Sequence, residues 1–343
     1  MHIIISLTVS FLAVFGLVVI AFFGVWAAHL EWLFGVVIPY LAVITFFVGM
    51  VYKVVQWARC PVPFRITSTC GQQKTLPWLK RTYVDKLDNP SSTAGAVGRM
   101  ILEVLCFRSL FKNTRLEFGS GQEIKYKSAK WLWLGAIVFH YAFLIVLLRH
   151  IRFFAQPEPF FVPLIENIDG FFQMFVPALY QSGFLLGAAL TYLLLRRILD
   201  GKMRYISLPA DYFPLFMILG LVTTGILMRY LLKVDIVAVK ELTLGLAQFR
   251  PVVPEGIGVL FYIHLFLVSV FFAYFPFSKL THMAGVFLSP TRNLSNNSRM
   301  VRHINPWNYP VKVHTYEAYE DEFREKMIDA GLPVDKESAS PAE

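Results

Sequence analysis

Four of the chain's eight histidines lie inside long apolar stretches: His140 and His150 on one, His264 and His282 on another. Ionisable side chains at membrane depth are costly and usually functional, and imidazole is a common axial ligand to haem iron. A six-coordinate haem buried between helices takes one histidine from each of two facing helices. Four histidines on two helices could therefore hold two such groups at two depths. The ten-residue step from His140 to His150 spans about 15 Å of helix axis, and the eighteen-residue step from His264 to His282 about 27 Å. Eighteen residues complete five turns and return to the same face, while ten leave roughly 80° between the side chains. On antiparallel helices this order pairs His140 with His282 at the inner level and His150 with His264 at the outer. The two axial separations differ by about 12 Å, which helix tilt, Pro276 and side-chain direction have to absorb. One histidine in a span is commonly a hydrogen-bonded structural residue; four in matched order on two antiparallel spans argue for ligation. His2, His29, His303 and His314 have no such counterparts and read as loop or interface residues, with His29 near the outer surface able to assist proton exchange.

Helices that cross a bilayer have to position these groups. Of 343 residues, 56% are apolar and only 16% charged, against about 45–50% and about 25% in soluble chains, and the mean hydropathy is +0.55. This excludes an ordinary soluble enzyme, a disordered chain and a disulfide-rich secreted domain. A membrane-crossing helix needs about 20 mostly apolar residues, and six segments qualify, roughly 3–27, 34–57, 130–151, 171–195, 212–232 and 257–280. The expected fold is all-α: a polytopic membrane bundle of six transmembrane helices. The first span follows Met1-His2 with no basic leader, so it reads as a retained anchor rather than a cleaved signal.

Charge placement gives the orientation. Thirteen Lys/Arg lie in 58–130, four between Arg196 and Arg204 and seven after residue 283, which makes 24 of the chain's 32; the stretch 153–170 has none. Basic loops stay in the cytoplasm, so both termini and the 58–130 loop are expected there, in the inner (cytoplasmic) membrane. The net charge of +9 then reports topology and lipid contact rather than nucleic acid. The organisation expected is two N-terminal spans (1–57), a basic cytoplasmic loop (58–129), a four-helix core carrying the histidines (130–283) and a cytoplasmic tail (284–343). Within the loop, Asn89-Pro90-Ser91-Ser92-Thr93 reads as a turn, and Gly95–Phe111 has apolar residues at helical spacing, as on a surface or membrane-interface helix. Cys60, Cys70 and Cys106 form no CxxC pair and cannot build a four-cysteine iron–sulfur site by themselves. No P-loop, GxGxxG or HExxH motif and no 20–50-residue repeat is present.

The His-x9-His and His-x17-His helices, with Phe277-Ser278-Lys279-Leu280-Thr281-His282, resemble the gamma subunit of respiratory nitrate reductase over about 130–285. That resemblance implies a di-haem cytochrome b, with the same inner and outer pairing. A narrower resemblance rests on Arg59-Cys60-Pro61-Val62-Pro63-Phe64-Arg65, Thr69-Cys70-Gly71-Gln72-Gln73-Lys74 and Arg108-Ser109-Leu110-Phe111-Lys112-Asn113-Thr114-Arg115. These are similar to the cytochrome b (M) subunits of the membrane complex associated with dissimilatory sulfite reductase, and the additional first span fits that subfamily. The resemblance implies two b haems and menaquinone as exchangeable substrate. It also implies a cytoplasmic iron–sulfur partner like heterodisulfide reductase, a periplasmic multihaem cytochrome c, a periplasmic ferredoxin-like protein and a second integral membrane subunit.

Haem propionates need cations or donors near the membrane surface. Arg149, Arg152 and Arg229 are the cofactor-binding candidates at the outer ends of spans three and five, with Lys233 beside them and Lys279 and Arg197 at the inner side; the alternative for each is snorkelling to lipid phosphate. Gly183, Gly187, Gly220 and Gly225 allow close helix approach. Proton exchange with a quinone could use Glu158, Glu166, Asp169 or Arg152 outside, or Asp211 and Tyr212 inside, where Asp211 is also a natural helix cap. The expected activity is electron transfer between menaquinol and an iron–sulfur partner in a sulfite-linked respiratory complex, with no bond-making catalytic residue and the direction of flow left open. A gamma-type subunit of a nitrate or heterodisulfide reductase is the alternative within that class. A proton-coupled transporter is the alternative outside it, disfavoured by the lack of inverted repeats.

Overall fold

The computed structural model describes residues 2–60, 82–112, 114–118, 124–170, 178–297 and 314–336. Most of the motif residues between 61 and 81, including Cys70, as well as His303 and the expected start of the fourth span at 171–177, lie outside the described residues. In chain order the elements are α1 (His2–Trp26), a π-helical turn Leu33–Val37 leading into α2 (Ile38–Ala58), α3 (Tyr83–Asp88), α4 (Thr93–Cys106) and α5 (Arg108–Lys112). A hairpin of β1 (Thr114–Phe118) and β2 (Ile124–Ser128) follows, antiparallel with Leu116 opposite Tyr126. Then come α6 (Lys130–His150), α7 (Phe161–Asp169), α8 (Gln181–Leu199), α9 (Gly201–Ile206), α10 (Pro209–Ile226) running on into a π-helical turn Leu227–Leu231, and α11 (Ile236–Ala247). The last are α12 (Val259–Tyr274), α13 (His282–Gly285), α14 (Pro290–Asn293) and α15 (Tyr316–Asp329).

Among the described residues, six helices are long and apolar enough to cross a membrane: α1, α2, α6, α8, α10 and α12 with their flanking turns. They fall on the expected segments, with two differences. The fourth starts at Gln181 rather than near 171, because Tyr180 takes an extended conformation and its amide donates to the Tyr230 hydroxyl at 2.9 Å. The sixth ends at Phe277, so His282 is not on it. The basic loop contains the expected α4 and, in addition, a hairpin that was not expected.

Packing explains why the bundle leaves room at one place. α6 packs on α8, α8 on α10, α10 on α12, while α1 lies against α10 and α12 and α2 covers α12. α6 and α12, the first and last of the four histidine-region helices, are not close neighbours along their backbones. The buried core of Leu186, Leu190, Met217, Ile218 and Leu267 lies on the α8–α10–α12 side. Between α6 and α12 the contact is made by side chains, with the rings of Phe143 and Phe271 6.3 Å apart. At the end of the bundle opposite the start of α1, α11 caps this space: Val239 and Leu242 are buried, the Thr243 hydroxyl donates to Phe153 O at 2.6 Å and the Tyr40 hydroxyl to Leu246 O at 3.0 Å.

At the other end the chain leaves the α12 axis at Pro276. The turn Phe275–Phe277 and a second 3-10 turn, Lys279–Thr281, carry it to α13. α2 can approach this break only because residue 49 is glycine, where a Cβ would sit 2.6 Å from Pro276 Cβ. Replacing Gly49 by valine should therefore overpack a rigid proline ring and destabilise the chain by about 1–3 kcal/mol. Gly16→Val, at a position with open space around it, should leave the thermal midpoint in detergent unchanged; equal midpoints for the two variants would refute the packing account.

Candidate functional site

Two histidine pairs bridge the space between α6 and the α12–α13 segment. His150 and His264 have ring centroids 6.4 Å apart with planes at 14°. His140 and His282 have centroids 6.0 Å apart with planes at 82°. The structure thus brings together the two pairs expected from the sequence. It also removes the axial mismatch: the break at Pro276 replaces five straight turns with a shorter, bent path, so His282 returns to the level of His140. Phe143 and Phe271 lie between the two levels.

The nitrogens are arranged for ligation. His140 Nδ1 donates to Ala136 O at 2.7 Å, His150 Nδ1 to Val146 O at 2.6 Å and His282 Nδ1 to Lys279 O at 2.9 Å. A carbonyl can only accept, so the proton is on Nδ1 in each. His264 reaches the same state differently. The Thr224 hydroxyl donates to Gly220 O at 2.8 Å, and its oxygen accepts from His264 Nδ1 at 2.7 Å. All four rings are therefore held as the tautomer whose Nε2 carries a lone pair, the usual state of a metal-ligating imidazole. None of the four Nε2 atoms has a hydrogen bond among the described residues. A first-row metal lies about 2.0–2.1 Å from an imidazole nitrogen, and a ring with sides of about 1.33 Å has its corner about 1.1 Å from its centre, so one ion between two imidazoles sets centroids about 6.3 Å apart. Both observed separations fit that value. No group of three or more metal-binding side chains occurs among the described residues.

The charged candidates sort into different roles. Arg149 Nε lies 3.0 Å from Asp169 Oδ2, off line for a hydrogen bond, and its Nη2 donates to Ser182 Oγ at 3.2 Å. Asp169 in turn accepts from the Ser182 amide and hydroxyl at 2.7 and 2.6 Å. Tyr180 lies between two guanidiniums, Arg149 at 3.7 Å and Arg229 at 3.9 Å from its ring centre. The π-helical turn of α10 aims Arg229 here; its Nη2 donates to Ala178 O at 3.1 Å and its buried Nε has no partner. Asp169 thus pairs with Arg149, while Arg229 has no ion pair among the described residues and meets Arg149 only through the Tyr180 ring between them. Arg152 is instead paired with Glu166 at 2.7 Å, and Glu158 with Lys240 at 3.0 Å. At the opposite end Asp211 holds Lys279 at 2.6 Å and caps α10 through the Leu208 amide at 3.0 Å, with Arg197 at 3.7 Å. Every acidic candidate for proton exchange is therefore in an ion pair, and Tyr212 is fully buried with an unpartnered hydroxyl. Lys233 has no ion pair among the described residues. The expected close approach is not needed at these glycines: a Cβ at Gly187 or Gly220 would make only ordinary contact with Val222 or Leu267, Gly183 faces open space, and a Cβ at Gly225 would lie 3.7 Å from the His264 ring edge.

A family model for the nitrate reductase gamma subunit matches residues 101–303. The chain belongs to that family. Within it, the chain is 47% identical over 279 residues to the Hdr-like menaquinol oxidoreductase cytochrome b-like subunit of Archaeoglobus fulgidus, covering 80% of this chain and 83% of that one. It is 43% identical to the protein of the same description from Archaeoglobus profundus, covering 79% and 81%. The nitrate reductase gamma chain of Bacillus subtilis is 23% identical over 212 residues, which is 59% of this chain and 93% of that one. The family match takes in all four paired histidines, Tyr180, Thr224 and Arg229.

Two residues of the site escaped the sequence. Thr224 is one hydroxyl among many in apolar helices, and only the α10–α12 packing shows what it holds. Tyr180 precedes α8 in a stretch that reads as span. Removing this carboxylate, as in Asp169→Ala, should leave Arg149 buried without a counter-charge. We expect a loss of about 3–5 kcal/mol, as for a broken buried pair, in chemical denaturation in detergent, and substantial recovery in the double variant Arg149→Met/Asp169→Leu.

Proposed function

We propose that this chain is the di-haem membrane subunit of a quinone-linked respiratory complex, passing electrons between menaquinol and a cytoplasmic iron–sulfur partner. The observation that carries the reading is the pair of imidazole couples, each with Nδ1 tied to an oxygen and centroids at the separation one shared iron requires. His140 and His282 would hold the inner haem, His150 and His264 the outer. Bound there, two b haems supply one-electron chemistry at two depths of the bilayer.

The chain's own residues do the rest. Hydrogen bonds at Nδ1 fix each ring and raise the basicity of Nε2. Arg149 is paired with Asp169, whereas Arg229 has no carboxylate partner among the described residues and keeps a positive charge to meet a propionate at the outer level. Arg152 is committed to Glu166 and serves that level by holding α7 against the end of α6. Phe143 and Phe271 keep water from the space between the levels, and α11 closes it from outside.

The menaquinol substrate is supported by the description of the two Archaeoglobus relatives, and the sulfite-linked setting by the motifs between Arg59 and Arg115. The wider partner set follows that setting: a heterodisulfide-reductase-like iron–sulfur subunit, a periplasmic multihaem cytochrome c, a periplasmic ferredoxin-like subunit and a second membrane subunit. The distribution of Lys/Arg supports both termini in the cytoplasm and residence in the inner membrane.

The test is direct. The purified chain should show b-type bands in a reduced-minus-oxidised spectrum, and a menaquinol analogue should reduce them; bands that are absent, or that no quinol reduces, would end the proposal. Thr224→Val should move only the outer haem to a more positive potential, because a less basic His264 favours the ferric state less. A titration with both potentials unchanged would show that Thr224 does not tune it.

A further inference from the structure

α4 carries one continuous apolar face. Ala96, Val97, Met100, Ile101, Val104 and Leu105 line an open groove of about 530 Å³, closed on its other wall by Phe287 and Asn293. Val97 and Ile101 remain more than half exposed, at 55% and 52%, so apart from the Phe287 and Asn293 wall the described residues leave this face uncovered. The volume is within the roughly 300–1,000 Å³ that holds one small ligand, yet the walls offer almost nothing polar to orient a headgroup.

The position of α4 relative to α6 says what covers this face. The Trp133 indole donates to Cys106 O at 2.8 Å, and the Tyr141 hydroxyl donates to Leu105 O at 2.9 Å. Trp133 is in the first turn of α6 and Tyr141 is eleven residues into it, so the C-terminal end of α4 is moored alongside the first three turns of a membrane-crossing helix. Phe107, in left-handed conformation just past α4, then packs its ring 4.9 Å from that of His140. Above this level Lys130 lies 5.4 Å over Phe111, whose ring is 5.0 Å from Trp133, the aromatic-plus-cation girdle expected at a membrane boundary.

The apolar face cannot turn away. Asp88 at the end of α3 binds Arg108 at 2.7 Å and also Lys112, both on α5, while buried Glu103 of α4 accepts from the Ser109 amide at 3.1 Å and from its hydroxyl. Burial on its own would raise the Asp88 carboxyl, but the bonds from Lys112 and Arg108 outweigh it and hold the carboxyl below its ordinary value. That anchor is therefore intact at neutral pH and is lost only as pH falls through the depressed value. On α6, the helix to which the end of α4 is moored, Leu134, Tyr141, Leu144 and Leu147 are also exposed.

We propose that α4 is inserted in the inner leaflet of the membrane, at the end of the bundle that carries the termini, and that its groove seats an acyl chain of a bilayer phospholipid beside the inner histidine pair. The 58–129 segment is then in part a membrane element, not wholly a loop in water.

The test uses the full chain with Cys60, Cys70 and Cys106 replaced by serine, in phospholipid nanodiscs. Nitroxide labels are placed singly at Val97→Cys and Ile101→Cys, with Leu144→Cys as the lipid-facing reference and Glu325→Cys as the aqueous one. Labels at 97 and 101 should collide with oxygen in preference to a water-soluble nickel chelate, as the label at 144 does. A phosphatidylcholine carrying a mid-chain diazirine should photolabel the 93–105 peptide. Nickel access like that of the label at 325 overturns the proposal. So does the lack of photolabelling, or protection of positions 97 and 101 that arises only when the iron–sulfur partner is added.

Discussion

The arrangement depends on one constraint: an imidazole inside a membrane can offer a lone pair only if its other nitrogen has somewhere to put its proton. Three of the four histidines solve this within their own turn by donating to a backbone carbonyl three or four residues earlier. The solution costs no extra side chain, but it dictates where each ring points. His264 instead borrows Thr224 from a neighbouring helix, so its orientation is set by the packing of α10 on α12. The ring planes follow from these anchors, near parallel at the outer level and near perpendicular at the inner.

A second constraint is depth. A straight sixth helix would carry His282 too far to face His140. The break at Pro276 corrects this, and the structure spends several features on holding it: the missing Cβ of Gly49, Ser278 capping the following turn through the Leu280 amide, and the Lys279–Asp211 ion pair that ties the bend to the start of α10. Lys279 contributes twice, because its carbonyl also receives the His282 proton. A residue read from sequence as a possible propionate partner thus acts as a latch between two spans and an anchor for a ring.

Much of this was legible in the sequence because membrane helices obey few rules. Length and hydropathy located six spans, and histidine order gave the pairs. The start of α8 was missed because an apolar stretch before a helix is indistinguishable by composition from its first turns. The hairpin after α5 was missed although Arg115 and Glu117 alternate with Leu116 and Phe118, and Lys125 and Lys127 with Ile124 and Tyr126, because two five-residue stretches inside a long basic loop carry that period only briefly. The true partners of Arg152 and Glu158 could not be seen, since an arginine beside a carboxylate and one awaiting a propionate look alike until the fold sets their distances. The shared Tyr180 and the Thr224 bridge are products of tertiary contact alone.

The pairing itself is the most direct thing to measure, by low-temperature electron paramagnetic resonance of the oxidised chain, because ring planes at 14° and at 82° split the iron orbitals differently and yield two separable low-spin signals. The account predicts that His140→Ala and His282→Ala each abolish the more anisotropic signal and leave the other, while His150→Ala and His264→Ala do the reverse. A crossed pattern, in which His140→Ala and His264→Ala remove the same signal, or variants that leave both signals intact, would contradict it.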